Sequence, residues 1–236
     1  MPRPRAILLI SAHHDGAAQG GRITITASPN PPTIHDFGGF PAELFAMQYP
    51  APGAPDVART VAQRLMNAGF DAQLDGQRGL DHGAWVPLSL MVPGADVPVV
   101  QLSIATGQSP QWHYELGQIL APLRDDGIMI VGSGGITHNL RAFAQLRPAI
   151  DAPPPDWVVA FTQWLAQTIA AQDVDGALQA VATGPHGRDN HPTMDHILPL
   201  FVAMGAGDFG PGRGRGVRLH HSYTYAILAM DVYAFG

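Results

Sequence analysis

Eleven histidines stand against thirteen basic residues that are all arginine, with no lysine and no cysteine. That inventory narrows the chemistry. Without cysteine there is no thiol nucleophile, disulfide, zinc ribbon or iron–sulfur cluster. Without lysine there is no Walker A phosphate loop, Schiff base or Ser–Lys dyad. Imidazole remains in quantity, and imidazole without thiolate suits Zn2+ or Fe2+. The histidines are spread over separate segments: His13 and His14 in SAHHDG, His35 in PPTIHDFGGFP, His82 in GLDHGAW, His138 in SGGITHNL, and His191 and His196 in HPTMDHILPL.

A histidine in a loop is most often a surface or hydrogen-bonding residue. His113, His186, His220 and His221 are read that way, and so is His14, which points away from His13 if the strand continues. The other six stand out by position. Spacing alone decides little: there is no HExxH, and the i, i+5 pair of HPTMDH shares a helix face poorly.

The elements that must carry these residues follow from the hydrophobic pattern. Residues 5–11 (RAILLIS) are a continuous apolar run, as in a buried parallel strand, and residues 22–27 (RITITA) alternate. Residues 28–55 are rich in Pro and Gly and form a long ordered loop. Residues 56–69 have an Asp cap, helical spacing and a closing Gly. A short strand at 70–74, a helix at 83–91, a strand at 97–104, a helix at 111–126 and a buried strand at 127–133 come next. Helices at 155–172, 174–183 and 193–204 precede one or two strands in 217–235. The alternation predicts one α/β domain over residues 1–236, a sandwich with a central, largely parallel or mixed sheet flanked by helices. His13 and His138 then follow buried strands, where open α/β sheets place their ligand crevice.

The 236 residues, 46% apolar, suffice for a full core. A net charge of −6 with scattered arginine argues against nucleic acid, and no apolar run is long enough to span a membrane. A small substrate and a cytoplasmic location are the expectation, with the oligomeric state open. GSGG at 132–135 lacks GxGxxG spacing and is not a GxSxG elbow. Only two glutamates occur, Glu43 and Glu115, so no spacing favours a glycosidase pair.

SAHHDG, PPTIHDFGGFP followed by YPAPG, GLDHGAWVPL, PVVQLSI, GIMIVGSGGITHNL and HILPLFVAMGA occur in this order. Together they resemble the class III extradiol ring-cleavage dioxygenases, in the 4,5-DOPA dioxygenase extradiol branch related to the protocatechuate 4,5-dioxygenase beta subunit. The resemblance runs over residues 3–145 and 190–206. It implies a non-haem metal, Fe2+ in active enzymes and sometimes Zn2+ as isolated. It also implies a catechol-type diol and O2 as substrates. By motif it makes His13 and His196 metal ligands and His138 a ligand or acid/base beside the metal. His82 becomes the proton-moving residue that touches substrate, and His35 a pocket-lining one. Position alone puts Tyr225 near the substrate, and selectivity in the loops 28–55 and 183–192 and near Tyr223.

Two departures stand out. The family's opening strand with an HGSP-type motif, which carries another metal ligand, has no counterpart here; either Met1 is an internal position of a longer gene product, the favoured reading, or the chain has lost a strand and a ligand. His14 stands where this branch usually has Trp, and is a candidate substitute ligand. Two readings from other classes share the same histidines: an inactive zinc-binding scaffold, and a metal-dependent hydrolase. An iron requirement with oxygen consumption separates the dioxygenase from both.

Overall fold

The computed structural model describes residues 3–16 and 21–236; Met1, on which the expectation of a longer gene product turns, lies outside them. The chain forms two compact units, Met1–Gln108 with Ile119–Ser133, and Ser109–Gln118 with Gly134–Gly236.

The first unit holds a five-stranded sheet: β1 (Ala6–Asp15), β2 (Ile23–Thr26), β3 (Ala72–Asp75), β4 (Val99–Ile104) and β5 (Ile128–Ser133), in the order β3-β2-β4-β1-β5. β1 runs parallel to β4 and β5, β2 parallel to β3, and only β2 against β4 is antiparallel. This is the mostly parallel α/β sheet the alternation predicts. Ala6–Ala12 are all buried, as befits a central strand covered on both faces. Between β2 and β4 the backbone ladder thins to one residue pair. Side chains fill the gap: Ser103 Oγ accepts from Thr24 N, and Thr26 Oγ1 from Gln101 N.

The loop 28–55 is less irregular than expected. It contains the short α1 (Ala42–Ala46), and Thr33 and Gly53 bridge to Leu80 and Val99. α2 (Pro55–Asn67) starts on a proline at its first turn and packs Val57, Ala58, Val61 and Leu65 inward. α3 (His82–Met91) packs on β1 and β5 through a core of Leu80, Ala84, Trp85 and Leu88 with Ile7 and Leu9.

The other helices are α4 (Pro110–Leu120), α5 (Leu140–Leu146), α6 (Asp156–Ala170), α7 (Val174–Leu178), α8 (Ala180–Thr183), α9 (Gly187–Asn190) and α10 (Leu198–Ala206). The expected helix 111–126 ends at Leu120 because Pro122 turns the chain into a 3-10 segment, Ala121–Arg124. The expected helix 193–204 begins only at Leu198, so His196 lies on the segment before it. α6 buries Val158, Phe161, Leu165 and Ile169 at helical spacing. α10 is buried nearly all round, and its Gly205 lies against α4, where a Cβ would meet the Tyr114 carbonyl oxygen at 2.0 Å. Two hairpins close the second unit. β6 (Gly216–His220) pairs with β9 (Val232–Phe235), and β7 (Tyr223–Thr224) with β8 (Leu228–Ala229).

Candidate metal and acid–base groups

Each unit gathers two histidines and one aspartate. In the first, ligand atoms of His13, Asp36 and His82 lie within 4.8 Å of one another. His13 stands near the carboxyl end of β1, where the register against β4 shifts between Ser11 and Asp15. Such an irregularity re-aims side chains at a sheet rim. His82 is the first residue of α3, and its ring lies 3.9 Å from that of His13 between centroids. Asp36 accepts both the His82 backbone N–H and its Nδ1–H, each at 2.9 Å. Burial opposes ionisation of Asp36, but the hydrogen bonds from His82 outweigh it and hold the carboxyl below its usual range. With Nδ1 donating to Asp36, Nε2 is the basic nitrogen of the neutral ring.

Behind this group lies a polar network centred on Asp81, which is fully buried. Its Oδ1 accepts from Ser11 Oγ at 2.7 Å, and its Oδ2 accepts from Arg78 at 2.9 Å and from Gln101 Nε2. The Ser11 hydroxyl in turn accepts the His13 N–H, and Arg78 donates to the His13 carbonyl. Asp81 is also the N-cap of α3, yet its side chain makes no cap hydrogen bond. It is committed to the network instead, which ties both flanks of His13 to the residue preceding His82.

In the second unit the group is His138, Asp195 and His196. The two rings stack at 3.3 Å with an interplanar angle of 7°. Asp195 Oδ2 accepts from His196 Nδ1 at 2.6 Å, and this bond, against the cost of burial, holds the carboxyl well below the usual carboxylate range. The group is positioned by backbone. His196 O accepts from Gly135 N at 2.9 Å, Asn190 O from His138 N at 3.0 Å, and Asp189 O from the Asn139 amide at 2.6 Å. Gly134 is obligatory in this close approach: a Cβ there would meet the His196 carbonyl oxygen at 2.1 Å. Thr137 anchors the loop's far side, donating to Ile227 O and accepting from Ala229 N.

Both groups suit a non-haem divalent metal. Two neutral imidazoles and one carboxylate are its ligand chemistry, and a carboxylate on Nδ1 fixes the tautomer of a ligating histidine. In the second group Asp195 Oδ1 is buried and has no hydrogen-bond partner among the described residues, an acceptor that a cation would satisfy.

The structure thus joins His13 with His82, and His138 with His196. The remaining candidates sit elsewhere. His35 Nε2 bonds the Met47 carbonyl at 2.9 Å and packs beside Phe37, Phe45 and Trp85. His191 is buried, with Nε2 donating to Ile136 O at 2.8 Å, and burial brings its pKa down to about 4. His14 does point away from His13; its Nε2 meets Thr24 Oγ1 at 2.6 Å, and burial and the charge of Arg78 bring it down to about 3. It belongs to neither group, which removes it as a substitute ligand. Tyr225 has φ 50° and packs its ring on Phe143 at 5.5 Å. Sequence reasoning missed the three aspartates. Asp36 and Asp195 each neighbour a singled-out histidine, as does Asp81, and that adjacency was the available signal.

Residues 1–235 match the family described as the catalytic LigB subunit of aromatic ring-opening dioxygenase. The chain belongs to this family. It is a class III extradiol ring-cleavage dioxygenase, as the motifs imply. It is 38% identical over 234 residues to the 4,5-DOPA dioxygenase extradiol of Beta vulgaris, covering 99% of this chain and 83% of that one. With the enzyme of the same name from Escherichia coli K12 it shares 41% over 211 residues, 88% of this chain and 74% of the relative. The fold is similar to the crystal structure of an uncharacterized protein from Escherichia coli K12, with a TM-score of 0.75, 31% identity, and coverage of 99% and 87%. Among the described residues no helix is long and apolar enough to cross a membrane.

Proposed function

We propose that this LigB-family chain opens the ring of a catechol-type diol, DOPA-like or related, with a bound Fe2+, for which Zn2+ can stand in the protein as isolated. The observation that carries this is the pair of His2Asp groups in a chain of the ring-opening family. The reaction balances without a further reductant. O2 takes its electrons from the ring, the carbon–carbon bond beside the diol breaks, and both oxygen atoms end in the product.

In this reading His13, His138 and His196 are metal ligands. The metal, when bound, lowers the pKa of the catechol hydroxyls and holds O2 near the electron-rich ring. The protein's own part is proton handling and orientation. His82, with Nδ1 bound to Asp36, takes the hydroxyl proton at Nε2 and returns it to the opening product. Asp36 stays ionised and stabilises the imidazolium that forms meanwhile. Asp195 does the same orienting work for His196. His35 and Tyr225 line the substrate's approach. A single catalytic domain over residues 1–236 and a cytoplasmic location complete the proposal, with a small diffusible diol and O2 as partners.

The test is anaerobic loading with Fe2+ followed by O2 uptake on a panel of catechols. Stoichiometric uptake with a yellow ring-opened product is expected. His196→Ala and His13→Ala should lose bound iron and activity together. His82→Ala should keep iron and lose about 100- to 10,000-fold in kcat, the usual worth of a general acid–base group. An iron-loaded chain that consumes no O2 with any diol would overturn the proposal.

A further inference from the structure

We propose that the outer face of α3 and the groove beside it seat a second copy of this chain across a two-fold axis. α3 contains no Asp, Glu, Lys or Arg. Beyond the His82 and Trp85 rings its one polar side chain is Ser89, whose hydroxyl donates to the Val86 carbonyl at 2.7 Å. A helix that is apolar all round belongs in a core, and Ala84, Trp85 and Leu88 do face one. The other side does not: Val86 is 41%, Met91 49% and Leu90 82% exposed. Apolar side chains gathered in water this way mark an interaction surface.

Beside them lies a groove of about 1360 Å3, lined by fifteen residues that include Met91, Val92, Pro93, Val97, Ile128 and Met129. All belong to the first unit. The volume exceeds the roughly 300–1,000 Å3 of small-molecule pockets, so a protruding protein side chain fits it better. Leu90 is a knob and the groove a hole on the same surface. A two-fold axis seats each knob in the other copy's hole and so makes the contact twice.

Charge favours the second copy over a partner of one sign. The lining holds Arg3 and Arg124 against Asp96 and Asp125, and Arg3 pairs with Asp96 at 2.5 Å. A rim with both signs in equal number is complementary to itself under a two-fold, whereas an anionic membrane or nucleic acid needs a basic excess. The fifteen lining residues with Val86 and Leu90 approach the roughly 20–30 a side of a standard interface. The contact also leaves the histidines free. The groove lies at the amino ends of β1, β4 and β5, while His13 is near the carboxyl end of β1, and Leu90 is about 12 Å along α3 from His82.

The test is sedimentation equilibrium of the purified chain. A concentration-dependent mass approaching about 50 kDa, twice the 25.0 kDa of one chain, is expected. In L90E the dimer dissociation constant should rise about 100-fold or more, because the two-fold contact loses the leucine twice. At a dilution where both proteins are monomers, the urea midpoints of L90E and wild type should agree, as for any surface substitution. The chain has no cysteine, so L90C supplies a second arm: dimeric once folded, and monomeric after its thiol is capped with a polyethylene-glycol maleimide. A wild-type chain still monomeric at about 100 μM overturns the proposal. So does a dimer that survives both L90E and the capping. A dimer that disappears when upstream coding residues are restored gives this face to that segment, and overturns it as well.

Discussion

The two His2Asp groups have the same composition and are held in opposite ways. In the first unit the side chains of His13, Asp36 and His82 remain 25 to 29% exposed, and the carboxylate comes from 46 residues before its histidine. Their aim depends on a few buried side chains converging on Asp81. In the second unit only His196 of the group is buried, at 8% exposed, while its carboxylate, Asp195, is the preceding residue and is as exposed as Asp36. Two backbone hydrogen bonds between the loop 134–139 and the segment 189–196, with a third from the Asn139 side chain, hold it. A network with one hub fails when the hub changes, whereas a backbone lacing shares the load. The first arrangement leaves its two imidazoles partly open to solvent, and the second encloses His196.

The largest expected effect is therefore at the hub. Asp81→Asn keeps the shape but leaves Arg78 without its buried counter-charge, and breaking such a pair costs about 3–5 kcal/mol. Urea denaturation should show that loss, and the NMR signals of His13 and His82 should move while those of His138 and His196 stay. Asp195→Asn, at a half-buried site with backbone support, should cost clearly less. Equal losses would erase the contrast.

An intermediate effect comes from acid. His191 is buried neutral behind the second group, with a pKa of about 4 against 6.5 in an unfolded chain. Above pH 6.5 neither state takes up its proton. Between 6.5 and 4 only the unfolded state does, so stability falls as pH drops through that window, by up to about 1.4 kcal/mol per unit. His191→Gln should flatten this slope in urea midpoints at pH 7, 6 and 5. A slope unchanged in the variant would mean that His191 is not what makes this region acid-sensitive.

How much of this was legible beforehand differs between the regions for a physical reason. β1, β4 and β5 are apolar runs whose burial follows from composition, and His13 could be placed at a strand's carboxyl end from that pattern. His138 and His196 were readable as motif residues, although His196 turned out to precede α10 because Pro199 fits the first turn of the helix. The pairings His13–His82 and His138–His196 were not legible from spacing, because each joins segments more than 50 residues apart and no local period encodes that; only the family resemblance, which puts His138 beside the metal that His196 binds, implied the second. Asp81 was the hardest to see. An Asp before a helix reads as a cap, and only tertiary contacts with Ser11, Arg78 and Gln101 divert it.

The smallest effect tests the lacing itself. Asn139 does two things at once: its Oδ1 accepts from Ala142 N at the start of α5, and its Nδ2 donates to Asp189 O. Asn139→Ala removes a cap worth about 1 kcal/mol, which in a chain of this length lowers Tm by about 2–4 °C. The neighbouring bonds from Gly135 to His196 and from His138 to Asn190 remain, so iron binding should weaken only slightly. A loss as large as that of Asp81→Asn, with iron released, would show that the second group also hangs on a single side chain. The difference between the two regions would then lie in the burial of His196 alone.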